Sequence, residues 1–192
     1  MKTIWKIAKT ELQSLFYSPI AWLILVIFFI QCAVTFNGSL NGLVTTMELY
    51  GRLYGSATGA LYAGMRSLYP AVQGNLYLYI PLLTMSLMTR EFASGSIKLL
   101  YSSPITNRQI ILGKYAAMMV YSLIMLACVA VFCILSMFVV DNLDIPYMLT
   151  GLLGLYLLMC TYSAVGLFMS CITTYQIVAA ICTLTVLFLL SY

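Results

Sequence analysis

The chain has 192 residues, of which 63% are hydrophobic and 7% charged, with a formal net charge of +4 and a mean hydropathy of +1.02. Because a soluble domain carries roughly 25% charged residues, this chain has too few charges to cover a surface that faces water. The composition excludes an ordinary soluble domain and predicts an all-α, polytopic helical membrane protein. The basic residues flank apolar runs rather than forming one patch, so the positive charge does not indicate a nucleic-acid partner.

The six cysteines all lie inside apolar runs, no two form a CxxC motif, and the chain contains no histidine. Zinc sites, haem attachment and Cys–His nucleophiles therefore have no support in the sequence. We interpret the cysteines as small apolar packing residues, with disulfide bonds as the alternative. We expect no metal site, no cofactor bound by this chain itself and no catalytic residue.

Residues 2–17 carry too many charges to span a membrane. At helical spacing their apolar residues fall on one side and their lysines on another, which predicts a helix lying in the membrane interface. An ordinary charged tail is the alternative. Pro19 disfavours helical backbone at Ser18, so a new helix is expected to begin at Pro19. The apolar side comprises Trp5, Ala8, Leu12, Leu15 and Phe16.

Five apolar runs without an ionisable residue near their middle predict five transmembrane helices. About 20 helical residues cross the roughly 30 Å hydrocarbon core of a bilayer. Asn37 and Gly38 predict that the first span ends there and leaves the membrane. Pro81 predicts a kink in the second span, which either bends a helix beside a transport pathway or packs passively against its neighbours. The predicted spans cover about residues 19–36, 72–88, 110–140, 147–171 and 176–190.

The connector over residues 37–75 contains glycines four residues apart, at Gly51, Gly55 and Gly59, and Ala63 continues the row. On a helix this row would let another helix approach closely. The alternative is a glycine-rich loop with coincidental spacing.

The five predicted spans divide the nine basic residues unequally between the two sides of the membrane. Seven fall on the side of the N-terminus, and Arg52 and Arg66 fall on the other. Because basic residues accumulate in cytoplasmic segments, we expect the N-terminus to be cytoplasmic.

The spans lack the groups that would let this chain drive transport or catalysis by itself. Ion-coupled carriers and intramembrane hydrolases need ionisable or metal-bound groups in the membrane, and none lies mid-span. Gly113-Lys114 is followed by tyrosine, and Arg108 stands five residues before Gly113, so a P-loop is absent. Any uphill transport therefore needs energy from another chain.

Residues 89–114, with the sequence TREFASGSIKLLYSSPITNRQIILGK, form the longest polar interruption between apolar runs. We predict a helix over residues 91–101, a break at Ser103-Pro104 and a second helix from about Thr106. Gln109 three residues after Thr106 matches the capping-box pattern. Gly95 is expected to permit close backbone approach. The segment therefore suits docking of another protein, with an ordinary capped loop as the alternative.

These residues resemble the signature of ABC-2-type transporter permeases, the membrane subunits of ATP-binding-cassette transporters. Ser18-Pro19-Ile20-Ala21 after the interfacial helix, and the run from Gly166 to Ala179, are also similar to that family, and specifically to its gliding-motility-type subfamily. Family members usually have six spans and an acid where this chain has Lys98. Five predicted spans leave the sixth to a missing segment or to a partner. The matching residues are Arg90-Glu91, Gly95-Ser96, Leu99-Leu100, Ser103-Pro104-Ile105-Thr106, Gln109-Ile110 and Gly113-Lys114.

The resemblance implies a single ABC-2-type transmembrane domain over residues 1–192, in the inner membrane of a bacterium. It implies an exporter subunit that works with a second permease subunit, identical or different, and with an ATPase subunit that binds ATP and Mg²⁺. Glu91 is expected to anchor the coupling helix at its N-terminus or to bind the ATPase. The alternative is a membrane scaffold that transports nothing. The residues implied in coupling to the ATPase are Arg90, Glu91, Gly95, Ser96, Leu99, Leu100, Pro104, Gln109, Gly113 and Lys114.

Overall fold

A computed structural model of the protein describes residues 2–50, 57–64, 67–95, 106–140 and 143–191. Within these ranges the chain forms helices and no strand, which confirms the predicted all-α fold. The described helices are α1 (Lys2–Tyr17), α2 (Pro19–Tyr50), α3 (Ala57–Tyr62), α4 (Leu68–Thr84), α5 (Ser86–Ser94), α6 (Asn107–Val139), α7 (Ile145–Ile172) and α8 (Gln176–Ser191).

Three of these helices, α2, α6 and α7, are long and apolar enough to cross a membrane. They correspond to the first, third and fourth predicted spans, so the prediction of a polytopic membrane protein is confirmed. The fifth predicted span coincides with α8, a shorter apolar helix. The second predicted span, residues 72–88, is divided between α4 and α5.

Helix α2 continues past Phe36, the predicted end of the first span, to Tyr50. Its hydroxyl side chains bond to carbonyl groups one turn earlier, as Ser39 does to Thr35 (3.0 Å) and Thr46 to Gly42 (2.7 Å). Polar residues that we interpreted as an exit signal are therefore accommodated inside the helix. Of the predicted glycine row, Gly59 lies in α3, whereas Gly51 and Gly55 lie outside the described residues.

The break between α4 and α5 falls at Met85, four residues after Pro81. Pro81 lies inside α4 and has no N–H to donate, and the Met85 N–H still bonds to the Pro81 carbonyl at 2.9 Å. The hydroxyl of Ser170 in α7 donates to the Met85 carbonyl (3.3 Å) and accepts from the Met88 N–H (3.1 Å). A buried serine of α7 thus supplies hydrogen bonds at the break. The kink itself stays a prediction.

The chain divides into two compact units. The first comprises Met1–Trp22, Leu76–Ser122 and Leu158–Tyr192. Inside it, Gly166 of α7 lies against Thr84 of α4: a Cβ at Gly166 would stand 2.8 Å from the Thr84 Cβ. Small residues at such contacts let membrane helices pack closely where the hydrophobic effect contributes little.

The second unit comprises Leu23–Asn75 and Leu123–Leu157. Its buried polar groups pair with one another, as a low-dielectric interior requires. The Tyr69 hydroxyl donates to the Met148 carbonyl (2.8 Å), and the Tyr62 hydroxyl bonds to the Ser136 hydroxyl (2.6 Å). Gly151 leaves room for the Tyr69 ring, because a Cβ there would overlap it.

Candidate functional site

Helix α1 covers the predicted residues 2–17 and packs through one side against the rest of the first unit. Ala8 and Leu15 are buried on that side, and Glu11 lies between them at helical spacing. Trp5, which we predicted on the same side, is 69% exposed. The packing side of α1 is therefore rotated away from Trp5, and it brings a carboxylate into the interior.

Gly113 of α6 is the point at which α1 crosses that helix. A Cβ at Gly113 would lie 2.6 Å from Cγ2 of Ile7 and 3.3 Å from the Ile4 carbonyl oxygen. Any larger residue would push α1 away. The glycine thus brings α1 beside the next residue of α6, Lys114.

Lys114 is the centre of the site, and its residue is only 1% exposed. Its Nζ lies 2.5 Å from Oε1 of Glu11, 2.6 Å from Oε1 of Glu91 and 2.7 Å from the Leu87 carbonyl oxygen. An ammonium group has three N–H donors, and here three acceptors surround it. We call Lys114, Glu11, Glu91 and the Leu87 carbonyl the Lys114 centre. It joins α1, α5 and α6 through one charged group.

The electrostatics of the Lys114 centre make this junction hard to open. A buried charge is tolerated only with partners, and hydrogen bonds between charged groups are the strongest in proteins. The two carboxylates give the centre a formal charge of −1, and their side chains retain 21% and 19% exposure. Within the described residues, Oε2 of Glu91 is buried and accepts no hydrogen bond. Moving α1 or α5 alone would leave the Lys114 charge partly unpaired.

A second contact joins α5 to α1 nearby. Nη1 of Arg90 donates to the Ser14 hydroxyl at 3.0 Å. Arg90 is exposed, so water competes for this bond and it contributes less than the buried contacts.

Helix α5 corrects one prediction about the polar segment, the helix over residues 91–101. It begins at Ser86 and ends at Ser94, so Glu91 lies past the middle of the helix, not at an N-terminus. Gly95 ends the helix in the left-handed conformation, with φ 70° and ψ 2°. No described atom lies within 4 Å of a Cβ built at Gly95. This glycine therefore ends α5 in a backbone conformation that favours glycine, and its role in close backbone approach stays a prediction.

The second helix of the segment starts where we predicted. Helix α6 begins at Asn107, and the Thr106 N–H donates to Oε1 of Gln109 at 3.4 Å. This bond is the Gln109 half of a capping box. Gln109 therefore orders the start of α6.

The structure thus gathers Glu91, Gly113 and Lys114 at one place, with Arg90 beside them. Ser96, Leu99, Leu100 and Pro104 lie outside the described residues. Sequence reasoning missed Glu11, Ser14 and the Leu87 carbonyl. Glu11 left a signal, because an acid on the Ala8–Leu15 side of an amphipathic helix needs a buried partner.

A model of the ABC-2 family transporter proteins matches residues 5–192, which include every residue of the Lys114 centre. No curated protein matches the chain.

The Lys114 centre predicts that Lys114→Met is strongly destabilising. The substitution leaves Glu11 and Glu91 without a cation, so we expect the free energy of unfolding to fall by about 3–5 kcal/mol. Denaturant unfolding in detergent micelles measures the change. Lys9→Met, on the exposed side of α1, is the matched control and should change little. Adding Glu11→Gln and Glu91→Gln to Lys114→Met should restore part of the stability. Equal unfolding free energies of Lys114→Met and Lys9→Met would contradict the ion pairs.

Gly113→Ala tests the crossing of α1 and α6. The added methyl overlaps Ile7, so we expect a loss of about 1–3 kcal/mol in unfolding free energy. Gly154→Ala, at a position with no described atom within 4 Å of the new Cβ, should be neutral or slightly stabilising. Ile7→Ala should lower the unfolding free energy less in the Gly113→Ala protein than in the wild type, because it removes the overlap between the added methyl and Ile7. Additive effects would show that the two residues do not touch.

Proposed function

The chain belongs to the ABC-2 family of transporter proteins, and from this premise we propose that it is the permease subunit of an exporter driven by a separate ATPase subunit. The Lys114 centre is the observation that carries the proposal. It fixes α5 and α6, the helices that form the two ends of the polar segment, to one another and to the interfacial helix.

We infer that the segment between α5 and α6 is the coupling region on which the ATPase subunit acts. Force on this segment reaches the membrane through the helices at its two ends. Because Lys114 bonds to α5 and α1 while belonging to α6, displacement of the segment would move these three helices together. ATP binding would favour the conformation to which the closed ATPase pair binds more tightly. The resulting tilt of α4–α5 and α6 would change which side of the membrane the pathway faces.

The roles of the predicted coupling residues divide accordingly. Glu91, Gly113 and Lys114 hold the base of the coupling region, since their contacts lie inside the chain. Ser96, Leu99, Leu100 and Pro104 are proposed to contact the ATPase subunit. Mg²⁺ and ATP would be bound by that subunit.

The proposal includes a location and an assembly. The excess of basic residues on the side of the N-terminus supports a cytoplasmic N-terminus in a bacterial inner membrane. A second permease subunit, identical or different, would complete the pathway. The resemblance of residues 90–114 supports the gliding-motility-type subfamily.

Glu91→Gln is expected to uncouple the transporter. The amide keeps the shape of the side chain but lacks the negative charge that pairs with Lys114. The permease should therefore still bind the ATPase, while substrate no longer stimulates ATP hydrolysis. Co-purification with a P-loop ATPase and the ATPase rate of the reconstituted complex are the measurements. Glu48→Gln, an exposed position late in α2, is the matched control and should retain normal stimulation.

Two results would contradict this assignment. Normal stimulation in the Glu91→Gln complex would remove the Lys114 centre from the coupling path. Purification of the permease from its native membrane without a P-loop protein would favour the scaffold function instead.

The orientation is tested by accessibility. With the six native cysteines replaced, Ser103→Cys should react with a membrane-impermeant maleimide in inside-out vesicles but not in intact cells. Arg66→Cys, predicted on the opposite side, should show the reverse pattern. Labelling of Ser103→Cys in intact cells would overturn both the orientation and the coupling role.

A further inference from the structure

The first unit contains an open cleft of about 920 Å³ next to the Lys114 centre. One wall is the end of α1 and the start of α2, and the other is the end of α4 with α5. Its volume lies within the range of roughly 300–1,000 Å³ found for small-molecule sites. Because α1 is interfacial and α2 begins a span, the cleft lies where headgroups meet hydrocarbon.

The cleft changes from apolar to charged along its length. Leu82 and Ile20 line one end and are 37% and 50% exposed. Arg90 follows eight residues after Leu82, in α5 beyond the break at Met85. It bonds to Ser14 of the opposite wall. Along the α1 wall, Glu11 lies about one helical turn beyond Ser14 as seen from Ile20, and Glu91 directly follows Arg90 on α5. The two carboxylates therefore lie beside Arg90, with Glu11 on the side away from Ile20.

The two charged regions of the cleft have opposite sign. Within the described residues, no carboxylate lies within ion-pair distance of Arg90, which donates a hydrogen bond to the neutral Ser14 hydroxyl. Glu11 and Glu91 share one cation, Lys114, so the part of the cleft that they line keeps a formal charge of −1. A ligand that complements both regions is a zwitterion with its anion next to the apolar end.

We propose that this cleft binds one phosphatidylethanolamine-type lipid of the bilayer, with its phosphate on Arg90, its primary ammonium toward Glu11 and Glu91, and its acyl chains leaving past Leu82 and Ile20. The chemical order of such a lipid, from chains to phosphate to amine, is the order of the groups along the cleft. A guanidinium binds phosphate oxygens in a fixed geometry, and a primary ammonium donates charge-assisted hydrogen bonds to carboxylates. Thr10, Ser18 and Ser86 also line the cleft.

The negative charge of Glu11 and Glu91 determines which headgroup fits. A trimethylated amine has no N–H to donate, so phosphatidylcholine would lose the bonds to the carboxylates. Phosphatidylglycerol has no amine, so it carries no cation that could pair with Glu11 and Glu91. The inference requires that the chain lie in a bilayer, but it does not depend on transport or on an ATPase subunit.

Native mass spectrometry of the full chain tests the inference. Delipidated protein in detergent is mixed with equal amounts of phosphatidylethanolamine, phosphatidylcholine and phosphatidylglycerol that carry the same acyl chains. We expect one phosphatidylethanolamine to be retained at least about tenfold over the other two, the ratio that one charge-assisted hydrogen bond provides. Equal retention of the three lipids would overturn the proposal.

Variants locate the site. Arg90→Ala should lower phosphatidylethanolamine retention about tenfold. Arg108→Ala removes the same side chain at an exposed position outside the cleft and should leave retention unchanged. Glu11→Gln should reduce the preference over phosphatidylcholine. Thermal unfolding without lipid confirms that each variant is folded. Equal losses in Arg90→Ala and Arg108→Ala would indicate unspecific attraction and contradict the site.

A competition experiment separates a lipid from a soluble ligand with the same polar group. Glycerophosphoethanolamine carries the headgroup without acyl chains and should not displace the lipid at equal concentration. Displacement would show that the apolar end contributes nothing, and the occupant would then be a soluble phosphoethanolamine compound.

Discussion

The structure of the first unit depends on the requirement that a buried ammonium group be fully paired. Lys114 meets this requirement with two carboxylates and one backbone carbonyl, which come from two helices other than its own. Removing any one partner exposes the centre to the desolvation cost of an unpaired charge. The relative positions of α1, α5 and α6 are consequently fixed by electrostatics as well as by packing.

Close packing makes this ion-pair geometry possible. Gly113 lets α1 approach α6, and Gly166 lets α7 approach α4, each at a distance that a methyl group would prevent. Ser170 then supplies hydrogen bonds to the Met85 carbonyl and from the Met88 N–H at the break between α4 and α5, where the helix that carries Glu91 begins. Small residues and polar side chains thus do in this unit what apolar burial does in a soluble domain.

The family to which the chain belongs gives this arrangement its functional meaning. A permease without mid-span ionisable residues needs a mechanical connection to its source of energy. The proposed connection is short: the helices on both sides of the coupling region meet at Lys114. Glu11 and Glu91 of the Lys114 centre also line the proposed lipid cleft, so lipid binding and coupling would share these two residues. The lipid composition of the bilayer would then influence coupling.

The sequence by itself determined the class of the protein, the limits of α1 and α8, the restart at Asn107 and the family, because composition, periodicity and turn residues act locally. It did not indicate that α2 continues to Tyr50, since isolated asparagines and glycines are tolerated in a helix whose hydroxyls bond internally. It also identified Glu91 and Lys114 without pairing them. Only the tertiary structure decided that Lys114 meets a carboxylate 103 residues away, because that contact depends on how three helices pack and leaves no local pattern.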